Sequence, residues 1–342
     1  MRPRYPSTPV REWLAHTVGA SLLRACATTI LGVIAAATVR GQSKPDSSGF
    51  ITAGDGARLY YAIYGNARDT VIVPAAALLA GQLSSLREGL TLVFYDPRGR
   101  GRSDWIADPK RLTMADEVRD LEAVRAGLGI SRAGIVGFSY LGLVAALYAA
   151  DHPDRVSRLA QLGPMAPDEA TVSRYAPAEG RMRSDSAAAR LARARSIASD
   201  TADLAAECRR WYDAYLPVYL GNPAKASQVS TDFCENENES PSRFLWRVDK
   251  TMRSLPRRWD YTRKAMAIRA PTLVIQGDRD FAASPDGARR WAEIIPQARL
   301  IMLAGTGHLT YIESSDRVLP ALLRFFLGEW PPEAMQLRTS RE

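Results

Sequence analysis

Short, unbroken apolar runs recur along the chain, most followed by a stretch that reads as helix. This succession limits the possible folds more than any other feature. The runs are Leu59–Tyr64, Thr70–Val73, Thr91–Tyr95, Ala133–Val136, Leu159–Leu162, Thr272–Ile275 and Ala298–Leu303. A half-buried strand alternates apolar and polar residues, whereas runs without alternation fit strands covered on both faces, as in parallel sheets. Met114–Leu128, Leu143–Ala150, Gly287–Ile295 and Asp316–Phe326 are helix-like stretches between or after them. The alternation predicts an α/β fold with a doubly wound, mostly parallel sheet. Between residues 166 and 260 the rhythm stops. That block holds helix formers, such as Ser186–Asp200 and Ala202–Tyr215, and no convincing strand; strand-like sequence resumes at Pro271. The 342 residues therefore read as one α/β core, 55–165 and 261–330, interrupted by a helical lobe at 166–260 and ended by a frayed tail at 331–342.

The N-terminus is of another kind. Residues 1–41 carry Arg2, Arg4, Arg11, Arg24 and Arg40 against the single acid Glu12. A 15-residue apolar core, Ala25–Val39, is followed by Arg40-Gly41-Gln42 and a polar stretch. A basic region before a short apolar core reads as a secretory signal peptide, 1–41, followed by a linker, 42–54. Fifteen residues fall short of the roughly 20 needed to cross a bilayer. An exported protein, periplasmic or extracellular, is expected, with an uncleaved membrane-anchoring segment as the alternative. The net charge of +8 falls to +4 once the +4 of this segment is removed, and the remaining arginines are scattered. Nothing there resembles a nucleic-acid-binding arm.

Chemistry concentrates at a few positions. In Ile135-Val136-Gly137-Phe138-Ser139-Tyr140-Leu141-Gly142-Leu143 an apolar strand runs through a Gly-x-Ser turn straight into a helix. A serine there sits on a strained elbow at the carboxyl edge of the sheet, where the helix N-terminus favours developing negative charge. A serine nucleophile needs a base, and the chain has three histidines, His16, His152 and His308. His16 lies in the signal segment. His152, in Asp151-His152-Pro153, ends the helix that follows Ser139 and reads as a capping residue. His308 lies in the glycine-rich Gly305-Thr306-Gly307-His308, after the run 298–303, at the sheet edge where α/β sites gather. The orienting carboxylate would come from Asp278 or Asp280, which follow the run 272–275.

With these segments in order, the chain resembles the α/β-hydrolases of the proline-iminopeptidase-like branch. Four motifs carry the resemblance: Asp96-Pro97-Arg98-Gly99-Arg100-Gly101-Arg102-Ser103, the elbow at Ser139, Gly277-Asp278-Arg279-Asp280 and Gly305-Thr306-Gly307-His308. The resemblance implies a triad of Ser139, Asp280 and His308, selecting Asp280 over Asp278. It also implies that the helical lobe is a cap over the catalytic edge. Two departures stand out. Leu141 occupies the position of the elbow's second glycine, which appears one residue later as Gly142. The family's His-Gly after the third strand is replaced by Pro74-Ala75-Ala76-Ala77. An oxyanion hole uses backbone N–H groups, and proline has none, so Ala76, or Ala75, is expected to act with Tyr140.

The expectation is an exported serine hydrolase that cleaves an ester or amide, or a short peptide, through an acyl-enzyme. The alternatives are a proline-iminopeptidase-like aminopeptidase and a non-catalytic ligand-binding homologue. No cofactor or metal is implied: histidine is scarce, and no Cys-x-x-Cys occurs. Gly99-Arg100-Gly101-Arg102-Ser103-Asp104 lacks the last glycine of a dinucleotide fingerprint. The acids of Cys234-Glu235-Asn236-Glu237-Asn238-Glu239 could hold a substrate amine, but such a run reads first as a solvated loop. Removing the signal segment discards Cys26 and leaves Cys208 and Cys234, both in the helical lobe. In an oxidising compartment they are expected to pair.

Overall fold

A computed structural model describes residues 44–182 and 203–337. The signal peptide expected at 1–41 and the helix expected at 186–200 lie outside the described residues. Eight strands form one sheet: β1 (Ser47–Thr52), β2 (Arg58–Tyr64), β3 (Thr70–Pro74), β4 (Thr91–Tyr95), β5 (Ala133–Phe138), β6 (Val156–Leu162), β7 (Thr272–Gly277) and β8 (Ala298–Leu303). Their order is β1-β2-β4-β3-β5-β6-β7-β8. The first two strands pair antiparallel, β2 also runs antiparallel to β4, and the remaining pairs are parallel. The chain folds as the alternation of apolar runs and helices predicts.

Two glycines of β5 show why that strand is apolar throughout. Residues of opposite parity point to opposite faces of a sheet. A Cβ on Gly134 would meet the ring of Phe326 at 2.6 Å, while one on Gly137 would meet Ala145 Cβ at 2.8 Å. Helices Tyr140–Asp151 (α3) and Ser315–Phe326 (α8) therefore cover the two faces, and every residue of β5 is buried. Four further helices matter for the site: α1 (Ala76–Leu83), α2 (Met114–Gly127), α4 (Glu169–Met182) and α5 (Leu204–Tyr219). So do α6 (Pro241–Arg253) and α7 (Pro285–Ile294).

The sequence boundaries need two corrections. The stretch 42–54 is not simply a linker, because Ser47–Thr52 pairs with β2 as the edge strand β1. Its burial pattern is mostly exposed, so it lacks the apolar run that marks the inner strands. The tail 331–342 is not frayed throughout. Met335 exchanges backbone hydrogen bonds with Leu300 at 2.8 and 2.9 Å, and Ala334 is buried. β8 ends the sheet, and its outer N–H and C=O groups take this segment as a partner.

Between residues 166 and 260 the described backbone holds helices and turns but no strand beyond a single bridge, Asp168 to Asp260. Cys208 on α5 and Cys234 are joined as a disulfide, with Cα atoms 5.4 Å apart.

Candidate active site

β5 delivers Ser139 to the carboxyl edge of the sheet as the residue before α3. Its backbone is at φ 55°, ψ −129°, a region L-residues rarely occupy and one that costs of order 1–3 kcal/mol. The surroundings hold it there. Its N–H donates to the Leu162 carbonyl at 3.0 Å, and its own carbonyl accepts the N–H groups of Gly142 and Met165 at 2.9 and 3.0 Å. The close approach of strand and helix needs Gly137, since a Cβ there would lie 2.6 Å from the Leu141 carbonyl oxygen and 2.7 Å from Gly142 Cα. It also explains the shifted glycine. A Cβ at Gly142 would press on Pro164 at 2.9 Å, so the helix needs its small residue there rather than at Leu141.

The loop after β8 carries His308, which is buried. Its Nδ1 faces Asp280 Oδ2 at 2.7 Å. The Asp280 carboxylate also accepts the N–H groups of Ala282 and Ala283, each at 2.8 Å, and the Gln276 amide at 2.8 Å. A carboxylate so held can only accept from the imidazole, which leaves Nε2 as the ring nitrogen able to take a proton. The His308 ring packs against Phe138, the neighbour of Ser139, at 4.8 Å, and against Tyr219 of α5 at 5.2 Å. Gly163 fits beside the pair: a Cβ there would lie 3.1 Å from His308 Nδ1. Asp278 plays another part, accepting the Gly305 N–H at 2.7 Å as an exposed loop cap. His152 caps α3, about 20 Å along the helix from Ser139, and packs on Tyr148.

Ala76 and Tyr140 are each the first residue of a helix, α1 and α3, where intrahelical geometry leaves the N–H without a partner. None of the hydrogen bonds recorded among the described residues engages either N–H. Ala75, the residue before α1, is left-handed at φ 72°. The next N–H, that of Ala77, donates to the buried Asp96 carboxylate at 2.9 Å. Burial pushes the Asp96 carboxyl up to about 6.

The helical lobe is bound to the core by buried charge, and here the acid run needs correction. Glu235 and Glu237 are exposed and pair with Arg209 and Arg243. Glu239 is buried, taking Arg100 in a two-pronged ion pair at 2.9 and 2.8 Å and the Gly101 N–H at 2.7 Å. Asn238 donates to the carbonyls of Gly101 and Ser103. The run is a solvated loop only in its first half. Its second half fastens the lobe to the arginine-glycine loop. Arg247 of α6 reaches further in, donating to the Arg98 carbonyl and the Tyr140 hydroxyl at 2.7 Å each and pairing with Glu117. On the other side Tyr175 of α4 donates to the Asp280 carbonyl. Glu313 accepts the N–H groups of both Asn222 and Gly307 at 2.8 and 2.7 Å, linking the lobe to the His308 loop. Sequence reasoning gave no role to Asp96, Arg247 or Glu313. Asp96 alone had a signal, being the first residue of the Asp-x-Arg-Gly motif.

The chain belongs to the α/β-hydrolase family: the α/β-hydrolase fold matches residues 76–315. It is 26% identical over 280 residues to the Caulobacter sp. (strain K31) protein named as carbamate hydrolase RutD, covering 79% of this chain and 96% of that one. It is 24% identical over 263 residues to the proline iminopeptidase of Lactobacillus helveticus (strain DPC 4571), covering 71% and 82%. Among solved structures, the proline iminopeptidase of Mycobacterium smegmatis superposes with a TM-score of 0.61 at 21% identity, over 82% of this chain and 98% of that one. The enol-lactonase of Burkholderia xenovorans LB400 superposes with a TM-score of 0.60 at 24% identity, over 82% and 100%. The protein is thus a hydrolase of the α/β-hydrolase fold.

Proposed function

We propose that the protein is a serine hydrolase acting on small esters or amides through Ser139, His308 and Asp280. The observation that carries this reading is the buried Asp280–His308 hydrogen bond beside a strained Ser139 elbow. Ser139 Oγ attacks the carbonyl carbon as His308 Nε2 takes its proton. The N–H groups of Ala76 and Tyr140 hold the oxyanion. On collapse the bond to the leaving group breaks and His308 returns the proton to it, leaving an acyl-enzyme. Water then attacks, losing its proton to His308, and the acid departs as Ser139 regains the proton. Asp280 keeps the imidazole in the productive tautomer.

The engaged acids argue for a neutral substrate. An aminopeptidase must neutralise the substrate's ammonium, yet Glu235, Glu237 and Glu239 each already face an arginine. Ester or uncharged amide cleavage is therefore the first reading. Proline-iminopeptidase activity is the second, favoured by the similarity to the Lactobacillus enzyme. We also propose export, with the helical lobe acting as a cap over Ser139. The Cys208–Cys234 disulfide suits an oxidising compartment.

A panel of p-nitrophenyl esters, an aryl carbamate and aminoacyl-arylamides including proline tests these readings together. Ester or carbamate turnover supports the first. Turnover of the proline arylamide alone replaces it with the second, and turnover of nothing indicates a binding protein.

A further inference from the structure

Helix α1 begins without a cap of its own. The residue before it is Ala75, which has no side-chain oxygen to accept the first N–H groups, and it is held left-handed at φ 72°. A helix start built this way lacks the bond that normally fixes its first turn. An acceptor comes instead from 19 residues along the chain. Asp96 Oδ1 accepts the Ala77 N–H at 2.9 Å and Oδ2 accepts the Arg102 N–H at 3.0 Å. The Asp96 backbone is fixed in turn, its N–H donating to Tyr60 and its carbonyl accepting the Ser103 hydroxyl. The glycine-rich loop wraps the carboxylate closely, and a Cβ on Gly101 would lie 2.1 Å from Oδ2. Gly101 is also where Glu239 and Asn238 attach.

We propose, resting on the serine-hydrolase reading, that Asp96 is a positioning residue for catalysis: as a remote cap on α1 it keeps the Ala76 N–H aimed at the oxyanion. The cost of the arrangement supports this. An ionised carboxylate buried with only N–H partners on its two oxygens is poor for stability, and burial raises its pKa accordingly. A protonated Asp96 has one oxygen turned donor, facing an N–H, so the working form is the anion. The charged groups that face it are Glu239, which raises the pKa, and Arg100, which lowers it. Those two are paired with each other.

The test uses the whole protein and its best substrate from the panel. Asp96→Asn keeps the shape but turns one acceptor into a donor. It is expected to lower kcat about 10- to 100-fold with KM within about threefold. The inhibition constant of a boronic acid, whose tetrahedral adduct needs the same donors, should rise by the same factor as kcat falls. A folded Asp96→Asn enzyme with kcat and boronate affinity within twofold of the unsubstituted protein overturns the proposal, as does a loss confined to KM. Should the variant not fold, Asp96→Ser, whose shorter side chain cannot reach the Ala77 N–H, takes its place in the same two measurements. A folded Asp96→Ser enzyme with kcat and boronate affinity within twofold of the unsubstituted protein likewise overturns the proposal. If the unsubstituted protein neither turns over the panel nor takes a fluorophosphonate, the hydrolase reading itself fails and this role falls with it. Turnover with an indifferent Asp96→Asn variant rejects the positioning role alone.

Discussion

Replacing Glu239 by alanine should destabilise the protein sharply, although it lies in a run of acids that reads as solvated. The side chains of Glu239 and Arg100 are 1% and 6% exposed. Removing the carboxylate strands a guanidinium in the interior and leaves the Gly101 N–H without its 2.7 Å acceptor. Breaking a buried pair in this way costs about 3–5 kcal/mol, a large share of the roughly 5–15 kcal/mol that holds a folded protein. Glu237 provides the control. It pairs with Arg243 but is 70% exposed, so Glu237→Ala should cost under about 1 kcal/mol. Urea unfolding followed by circular dichroism measures both, with the m-value checking that the unfolding reaction is unchanged. Joint replacement of Arg100 by methionine and Glu239 by leucine should recover most of the loss, since the stranded charge is then gone. A Glu239→Ala loss below about 1 kcal/mol would refute the claim that this carboxylate fastens the lobe to the core.

Three further outcomes follow from the same geometry. His308→Ala should cost on the order of 10³-fold or more in turnover, while His152→Ala, at the far end of α3, should stay within about twofold; the reverse pattern in steady-state kinetics would move the base. Burial holds the Asp96 carboxyl at about 6, above its ordinary 3.8. The folded state therefore binds this proton more tightly than the unfolded one, and the stability it contributes is full below about pH 4 and lost as pH rises to about 6. Two units correspond to about 3 kcal/mol, so the stability of Asp96→Asn relative to the unsubstituted protein should improve by about that much between pH 4 and 7, and a flat difference would contradict it. The Cys208–Cys234 bond spans 26 residues and is worth up to ~3.5 kcal/mol on the chain-entropy model; thiol titration of the denatured, unreduced protein lacking residues 1–41 should find no free thiol, and two per chain would reject the bond.

The inner strands were legible because burial on both faces forces unbroken apolar runs, as at β5. The edge strand β1 was not, since Ser47–Thr52 is largely exposed and satisfies its backbone through β2 without an apolar signature. Ser139 and His308 stood out through the Gly-x-Ser turn and the scarcity of histidine. The choice between Asp278 and Asp280 needed a family pattern, because both follow β7 and only the loop's path turns Asp280 toward the imidazole. The buried half of the acid run was hidden for a related reason. Glu237 and Glu239 look alike in sequence, and their fates are set by Arg100, more than a hundred residues away. Asp96 could be seen in its motif, but its partner at Ala77 is a backbone group that no side-chain pattern reveals.

Covalent labelling tests the central claim most directly. The intact protein, treated with a fluorophosphonate and digested, should carry one adduct on the peptide containing Ser139, and Ser139→Ala should carry none and lose turnover. An adduct that persists in the alanine variant, or turnover that survives the substitution, would contradict the assignment of Ser139 as the nucleophile.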